Sequence, residues 1–280
     1  MINAGEIAVL YSGGSDSTCA AALAAEKFER VHLLTYKRFG ISFAENSLLN
    51  AQKLKDKFGK EKITHSILDV DKLCRHVSYS KYLYYAKKYG FFLLTCGPCK
   101  LTLHLRSLIY CLDEHIGCVC DGANKNMAGI FPDQMQEVID SLRELYLSYG
   151  IKYITPVFDF DYPENIGWAD KLGLKELFEL DTPDGNDAGG MTTGKALFNM
   201  NILPAENVKG TKLDQKMQIR CFQFILFHIF ANGYYVPIYG LDKYREAFMR
   251  FYKEKISDSR RMVDEYLKKG KGSRLYRLVH

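Results

Sequence analysis

The chain has 280 residues, 47% of them hydrophobic and 25% charged, with a formal net charge of +5; these ordinary globular values exclude a disordered, collagen-like or low-complexity chain. No apolar run reaches the roughly 18 residues that a membrane helix needs; the longest, residues 221–231, carries Gln223 and His228. The first apolar stretch, residues 7–11, lacks a basic leader and runs into a glycine-rich turn, so the expectation is a cytoplasmic protein without a signal peptide or membrane span.

In chain order, residues 6–11 read as a strand, 17–28 as an Ala-rich helix, 30–36 as a second strand and 47–58 as a helix with apolar residues at helical spacing. Residues 63–69 and 91–95 read as the third and fourth strands, and a helix follows from about 98 to 115. Residues 117–121 form a fifth strand, 134–149 a helix and 152–156 a short strand. Alternating apolar strands and helices predict an α/β fold, a doubly wound parallel sheet with right-handed crossovers. After Pro163 the pattern changes: a short helix at 167–172, a Gly/Asp/Thr-rich loop at 181–194, one apolar helix at 212–232 and a basic helical stretch at 244–269. The expected division is an ATP-binding domain over 1–175 and a mainly helical, basic region over 176–280.

The string Ser12-Gly13-Gly14-Ser15-Asp16-Ser17 follows the first strand and opens the first helix. Two glycines let the backbone turn tightly and approach a ligand closely. The helix N-terminus behind them offers N–H groups and a positive dipole end to phosphate. Asp16 can cap the helix or hold a magnesium ion.

This string resembles the PP-loop, SGGxDS, of the ATP pyrophosphatase superfamily; neither a Walker A lysine nor a GxGxxG pattern is present. The resemblance covers residues 5–175. It implies a Rossmann-like fold of the PP-loop type that binds the pyrophosphate of ATP on Tyr11, Ser12, Gly13, Gly14, Ser15, Asp16 and Ser17, with magnesium and with Asp16 catalytic. It further implies that Tyr36–Phe39, the stretch after strand two, contacts adenine or substrate, with Tyr36 the candidate binding residue, and that Asp121-Gly122-Ala123-Asn124 is the family's Gly-x-Asn turn, with Gly122 and Asn124 beside the nucleotide. Lys125 and Asn126 stand where that turn usually continues with acidic residues. Residues 153–157, with Ala169 and Leu172-Gly173-Leu174, resemble the segment that closes the sheet in tRNA-thiolating members.

Eight cysteines in a reducing compartment are not a disulfide framework. Cys118 and Cys120 read as one face of a buried strand, and Cys19 and Cys111 as helical core. Cys96-Gly97-Pro98-Cys99 differs, being a close pair at a helix start, where the dipole would lower the pKa of Cys99. Two structural thiols, a thioredoxin-like redox pair and a sulfur-transfer site all fit it. The resemblance favours the last, since 2-thiocytidine synthetases and related sulfurtransferases carry such a pair there, with basic residues such as Lys100, His104 and Arg106 following. Iron–sulfur thiolases use three cysteines; residues 181–185 lack the usual third, and Cys221 is the substitute, giving Cys96, Cys99 and Cys221 as the candidate catalytic and metal-ligating set for a four-iron four-sulfur cluster, or Cys99 and Cys221 as a persulfide relay. No zinc-type histidine spacing is present.

Residues 209–280 carry 16 Lys/Arg and 7 Asp/Glu, a local charge of +9. Interleaved with Tyr244, Phe248, Phe251, Tyr252, Tyr266 and Tyr276, these basic residues suggest an RNA surface. The expected activity is thus an ATP-dependent, AMP- and pyrophosphate-forming sulfurtransferase acting on tRNA, with a homodimer left open. An ammonia-using PP-loop ligase and a nucleotide-binding sensor are the alternatives.

Overall fold

In a computed structural model of the chain, residues 3–89, 96–128, 132–162, 190–222 and 228–280 are described. Strand β1 (Asn3–Leu10) leads into helix α1 (Ser15–Lys27), then β2 (Arg30–Lys37), the two-residue β3 (Ile41–Ser42), α2 (Ser47–Phe58) and β4 (Ile63–Asp69). Helices α3 (Asp71–Tyr79) and α4 (Tyr82–Tyr89) precede α5 (Cys96–Asp113), β5 (Ile116–Cys120), α6 (Gln136–Leu147) and β6 (Lys152–Ile154). Five of these strands form a parallel sheet in the order β4-β2-β1-β5-β6. The fold is the expected doubly wound α/β sheet.

Strand alternation divides the core in two. Ile7, Val9, Val31, Leu33, Cys118 and Cys120 face one layer; Ala8, Leu10, Leu34, Tyr36 and Val119 face the other. Cys118 and Cys120 do share a buried strand face. On the first side α1 buries Ala20, Ala21, Ala22, Ala24 and Ala25, whose small side chains let the helix lie close against the sheet. The opposite side is covered by α3, α5 and α6.

The later residues are built into these same layers. Helix α7 (Thr193–Asn199) packs on α1, and α8 (Lys212–Met217) leads into β7 (Arg220–Cys221). A π-helical stretch, His228–Tyr235, and the short α9 (Val236–Tyr239) precede the long α10 (Leu241–Lys269) and α11 (Arg274–Val279). Phe248, Phe251, Tyr252 and Val263 of α10 are within 1% of full burial, in one core with α5, α6 and the sheet. The expected domain boundary at 175/176 lies outside the described residues, as do the expected strand at 91–95, the helix at 167–172 and all but the end of the loop at 181–194.

Three expectations are corrected. The single helix at 212–232 is broken: α8 stops at Met217, and Arg220 and Cys221 pair antiparallel with Ser42 and Ile41. Phe222 N–H extends that ladder to Gly40 O at 2.8 Å; edge pairing overrides a helical apolar pattern there. The basic helix at 244–269 begins at Leu241, and its aromatic residues Tyr244, Phe248, Phe251 and Tyr252 are core, so they offer no ring to a base. The thioredoxin alternative needs a separate fold restarting near residue 80, whereas Tyr85 of α4 and Leu101 of α5 pack with the sheet's own core. Among the described residues no helix is long and apolar enough to cross a membrane.

Candidate functional site

The strand order reverses between β1 and β5, and ligands bind open α/β sheets at such a switch point, beyond the carboxyl ends of the strands. Here the loop after β1 meets the loop after β5. Gly13 has φ +82°, and a Cβ on it would lie 2.6 Å from Ser47 Cα. Its carbonyl accepts from Asn50 Nδ2 at 2.8 Å and Thr18 Oγ1 at 3.3 Å. Ser17 Oγ receives the Ser12 N–H at 3.2 Å and donates to Gly14 O at 3.2 Å. Gly14 occupies the N-cap without a capping side chain, so the first-turn amides of α1 stand ready for an anion. Gly122 presses on this turn from the other side: a Cβ there would meet Ser17 N at 2.5 Å.

Between the loops lies a cavity of about 420 Å³. Tyr11, Ser12, Gly14, Ser15, Asp16 and Ser17 line one side, and Tyr36 and Gly122 another. Asp16 Oδ1 accepts from Thr193 Oγ1 at 2.6 Å. Gly13 supports the turn from behind. Asn124 does not line the cavity: its amide donates to Phe160 O at 2.9 Å and its Oδ1 accepts Asn126 N–H at 2.9 Å, which folds the following loop. The Asn124 expectation is corrected accordingly, from nucleotide contact to loop support.

The PP-loop carries no cation of its own; Lys100 and Lys209 reach the cavity wall instead. Lys100 Nζ stands 2.7 Å from Asp121 Oδ2 and 4.0 Å from Asp133. Burial opposes ionisation of Asp121, but the Lys100 ammonium overrides it and holds the carboxyl well below the usual range. His104, fully buried, lies 3.6 Å from the same oxygen, and burial keeps its imidazole below its ordinary pKa.

The second cluster is built around Arg38, just past β2. Its Nε and one terminal nitrogen donate to Cys99 Sγ at 3.2 and 3.0 Å, and that terminal nitrogen reaches Cys221 Sγ at 3.6 Å. Cys221 arrives through the β3–β7 pairing, opposite Ile41, a residue that also lines the cavity beside the Ser12–Ser17 loop. Cys74 of α3 joins from below through a hydrogen bond with Cys99. That bond, with the Arg38 charge, overcomes burial and draws the first ionisation of the Cys74–Cys99 pair from the usual thiol range down to about 6. The expected lowering of the Cys99 pKa by the helix dipole is corrected: the hydrogen bond with Cys74 and burial push the Cys99 thiol up, and the Arg38 charge only partly opposes them, so the proton that leaves first is that of Cys74. Burial pushes the Cys96 thiol up, and its charged neighbours are Asp133, Cys221 and Arg38.

Cys99 and Cys221 therefore share one guanidinium, and Cys96 feels the same charges from the start of α5. Among the described residues no three Cys, His, Asp or Glu side chains stand close enough to hold a metal ion. With a guanidinium between Cys99 and Cys221, the donor set suits thiolates better than a cluster. Sequence reasoning included Arg38 only within the 36–39 stretch, without linking it to the cysteines, and missed Cys74. The second had a signal, since Leu73 and Val77, buried four apart, mark an amphipathic helix over Asp71–Tyr79 with Cys74 on its inner face.

No protein-family model matches the chain, and no curated protein does. Among solved structures, a predicted subunit of tRNA methyltransferase from Methanocaldococcus jannaschii is 21% identical, covers 62% of this chain and 76% of its own, and has a TM-score of 0.35. The NMN synthetase from Francisella tularensis is 15% identical over 92% of this chain and 87% of its own, with a TM-score of 0.37. The U34-tRNA thiolase NcsA from Methanococcus maripaludis, with its 4Fe-4S cluster, is 15% identical over 91% and 74%, with a TM-score of 0.35. At such values the likeness adds no weight; the fold assignment stands on the sheet order and the loop.

Proposed function

We propose that this chain is an ATP-dependent sulfurtransferase of the PP-loop kind that adenylates a carbonyl oxygen of a tRNA base, releases pyrophosphate and inserts sulfur. The observation that carries the reading is the seat of Cys221: one strand pair sets it opposite Ile41 of the nucleotide cavity and within 3.6 Å of the arginine that holds Cys99.

ATP would lie with its phosphates on the Ser12–Ser17 turn and the first amides of α1. Asp16 is the carboxylate to hold magnesium, which neutralises the triphosphate as pyrophosphate leaves. The substrate oxygen attacks the α-phosphorus, the bond to pyrophosphate breaks, and the oxygen becomes a good leaving group. Lys100, on the cavity wall, supplies positive charge where negative charge develops. Sulfur arrives as a persulfide on Cys99, loaded by a donor protein or sulfide-derived persulfide. Its terminal sulfur attacks the activated carbon, and AMP leaves with the oxygen. Cys221 then attacks Cys99 Sγ, which breaks the sulfur–sulfur bond, releases the thiolated base and leaves a Cys99–Cys221 disulfide for an external thiol to reduce. Residues 1–175 supply the ATP site in this reading, and 176–280 supply Cys221 and a basic face.

The test is mass spectrometry of tRNA nucleosides from cells with and without the gene. Loss of one thiolated nucleoside, restored by wild type and not by Cys99→Ser, is the expected result. An unchanged thionucleoside profile would overturn the tRNA assignment.

A further inference from the structure

We propose that the β3–β7 ribbon is a stacking platform for unpaired bases of the RNA substrate, formed by Phe39, Phe43 and Phe222. The proposal rests on the RNA reading above and adds the surface that would present the base to the site.

These rings are 79%, 56% and 61% exposed. Apolar rings left so open on one short ribbon call for a partner. Phe39 and Phe43 flank β3, and Phe222 follows β7. Phe43 is held at φ +61°, a region that bulky residues adopt only when their surroundings impose it. The constraint is visible: Asn46 N–H donates to Phe43 O at 3.0 Å, and Asn46 Nδ2 donates to Gln218 O at 3.0 Å, tying the turn to the segment before β7. The fold thus spends backbone strain to keep a phenyl ring in solvent.

Two of the rings are paired with a cation. The Arg75 guanidinium lies 5.7 Å from the Phe39 ring and is fixed by Asp71, whose other oxygen accepts the Phe39 N–H at 2.9 Å. Arg220 lies 5.7 Å from the Phe43 ring. A ring with a guanidinium beside it offers a π face for a base and a positive charge for the adjoining phosphate, the pairing that single-stranded nucleic-acid sites use. An anionic, aromatic ligand matches both halves of this surface; the four buried rings of α10, Tyr244, Phe248, Phe251 and Tyr252, match neither. Position agrees as well, since Ile41 and Cys221, paired in the middle of the ribbon, touch the nucleotide cavity and the Arg38 cluster.

The experiment titrates the full-length protein into a short single-stranded RNA with one 2-aminopurine, following anisotropy and fluorescence. Wild type should bind at low salt and quench the probe. A Phe39→Ser, Phe43→Asn, Phe222→Ser variant, with Asn chosen to tolerate the left-handed backbone at 43, should lose quenching and bind about a thousandfold more weakly, near tenfold per ring. Phe39→Trp gives a second readout: the emission it adds to that of the native Trp168 should change on RNA addition. Equal binding and quenching by the triple variant, or added emission from Phe39→Trp that does not respond to RNA, would overturn the platform and leave the RNA reading standing. No RNA binding by wild type at low salt would overturn both. Intact RNA binding with lost sulfur transfer from a donor protein would overturn the platform in favour of a protein-docking role.

Discussion

Arg38 donates to Cys99 Sγ through two nitrogens, at 3.2 and 3.0 Å, and this fork ties the end of β2 directly to the first turn of α5. Arg38 follows β2 immediately, so the strand that pairs with β1 under the Ser12–Ser17 loop also sets a positive charge beside the Cys74–Cys99 pair.

Replacing Arg38 by lysine keeps the charge and loses the fork. The first ionisation of the Cys74–Cys99 pair, near 6 in the wild type, should rise toward the free-thiol value of about 8.5. Thiolate absorbance titrated in the folded variant measures this directly. The sign for stability follows from a lowered pKa: the arginine's contribution is full above the free-thiol range and is lost as pH falls through 6. Urea unfolding should therefore show the gap between wild type and Arg38→Lys narrowing from pH 9 to pH 6. Superimposable thiolate titrations would contradict the assignment.

Asp16→Ala should abolish AMP and pyrophosphate formation while circular dichroism stays unchanged, because Asp16 lines the cavity and is not part of the hydrophobic core. Gly122→Ala should fail differently. Its Cβ meets the backbone nitrogen of Ser17 at 2.5 Å, which only movement of the α1 turn can relieve; ATP affinity should fall at least tenfold, and isothermal titration would show it.

Lys100→Met leaves Asp121 buried at 3% exposure without its cation. Breaking a buried pair in this way costs about 3–5 kcal/mol at neutral pH. In the wild type the Asp121 carboxylate, held below its ordinary pKa, contributes stability above the normal carboxylate range and loses it as pH falls. In the variant burial is opposed only by the His104 contact and raises that pKa, so protonation relieves the penalty. The deficit measured by urea denaturation should shrink between pH 7 and pH 4. A deficit independent of pH would show that the pair does not carry the effect.

Phe248→Ala, at a fully buried ring of α10, should cost about 3–5 kcal/mol in a single cooperative transition. Two separate transitions, with the sheet unaffected, would show that α10 is not part of the main core. The same burial means that deleting residues 259–280 removes Val263 and Leu275, both 0% exposed, so that truncation is a stability change before it is an RNA-binding change.

Much of this molecule was legible in the chain. The sheet strands Ile63–Asp69 and Arg30–Lys37 stood out by apolar composition, α2 was bounded by its own periodicity, and Ser12–Ser17 located the cavity. What stayed hidden depends on long-range pairing. Cys221 looked helical because residues 221–231 are apolar apart from Gln223 and His228, and nothing local reveals that it pairs with Ile41, so far away in the chain. The rings of α10 looked like base-stacking partners because sequence does not say which face of an amphipathic helix meets the sheet. Arg38 looked like an ordinary charge at a strand end; its role emerges only when α3, α5 and β7 bring three sulfurs to it.

The most direct measurement of the central claim is the stoichiometry of one reaction: purified protein, ATP, magnesium, unmodified tRNA and a labelled sulfur donor, with AMP, pyrophosphate and label in tRNA counted together. The account requires AMP, pyrophosphate and incorporated sulfur in equal amounts, all absent with Asp16→Ala; with Cys99→Ser sulfur and AMP are both absent and pyrophosphate stops at one equivalent per tRNA. Pyrophosphate released with no label in the tRNA, and an amide formed when ammonia replaces the donor, would contradict it.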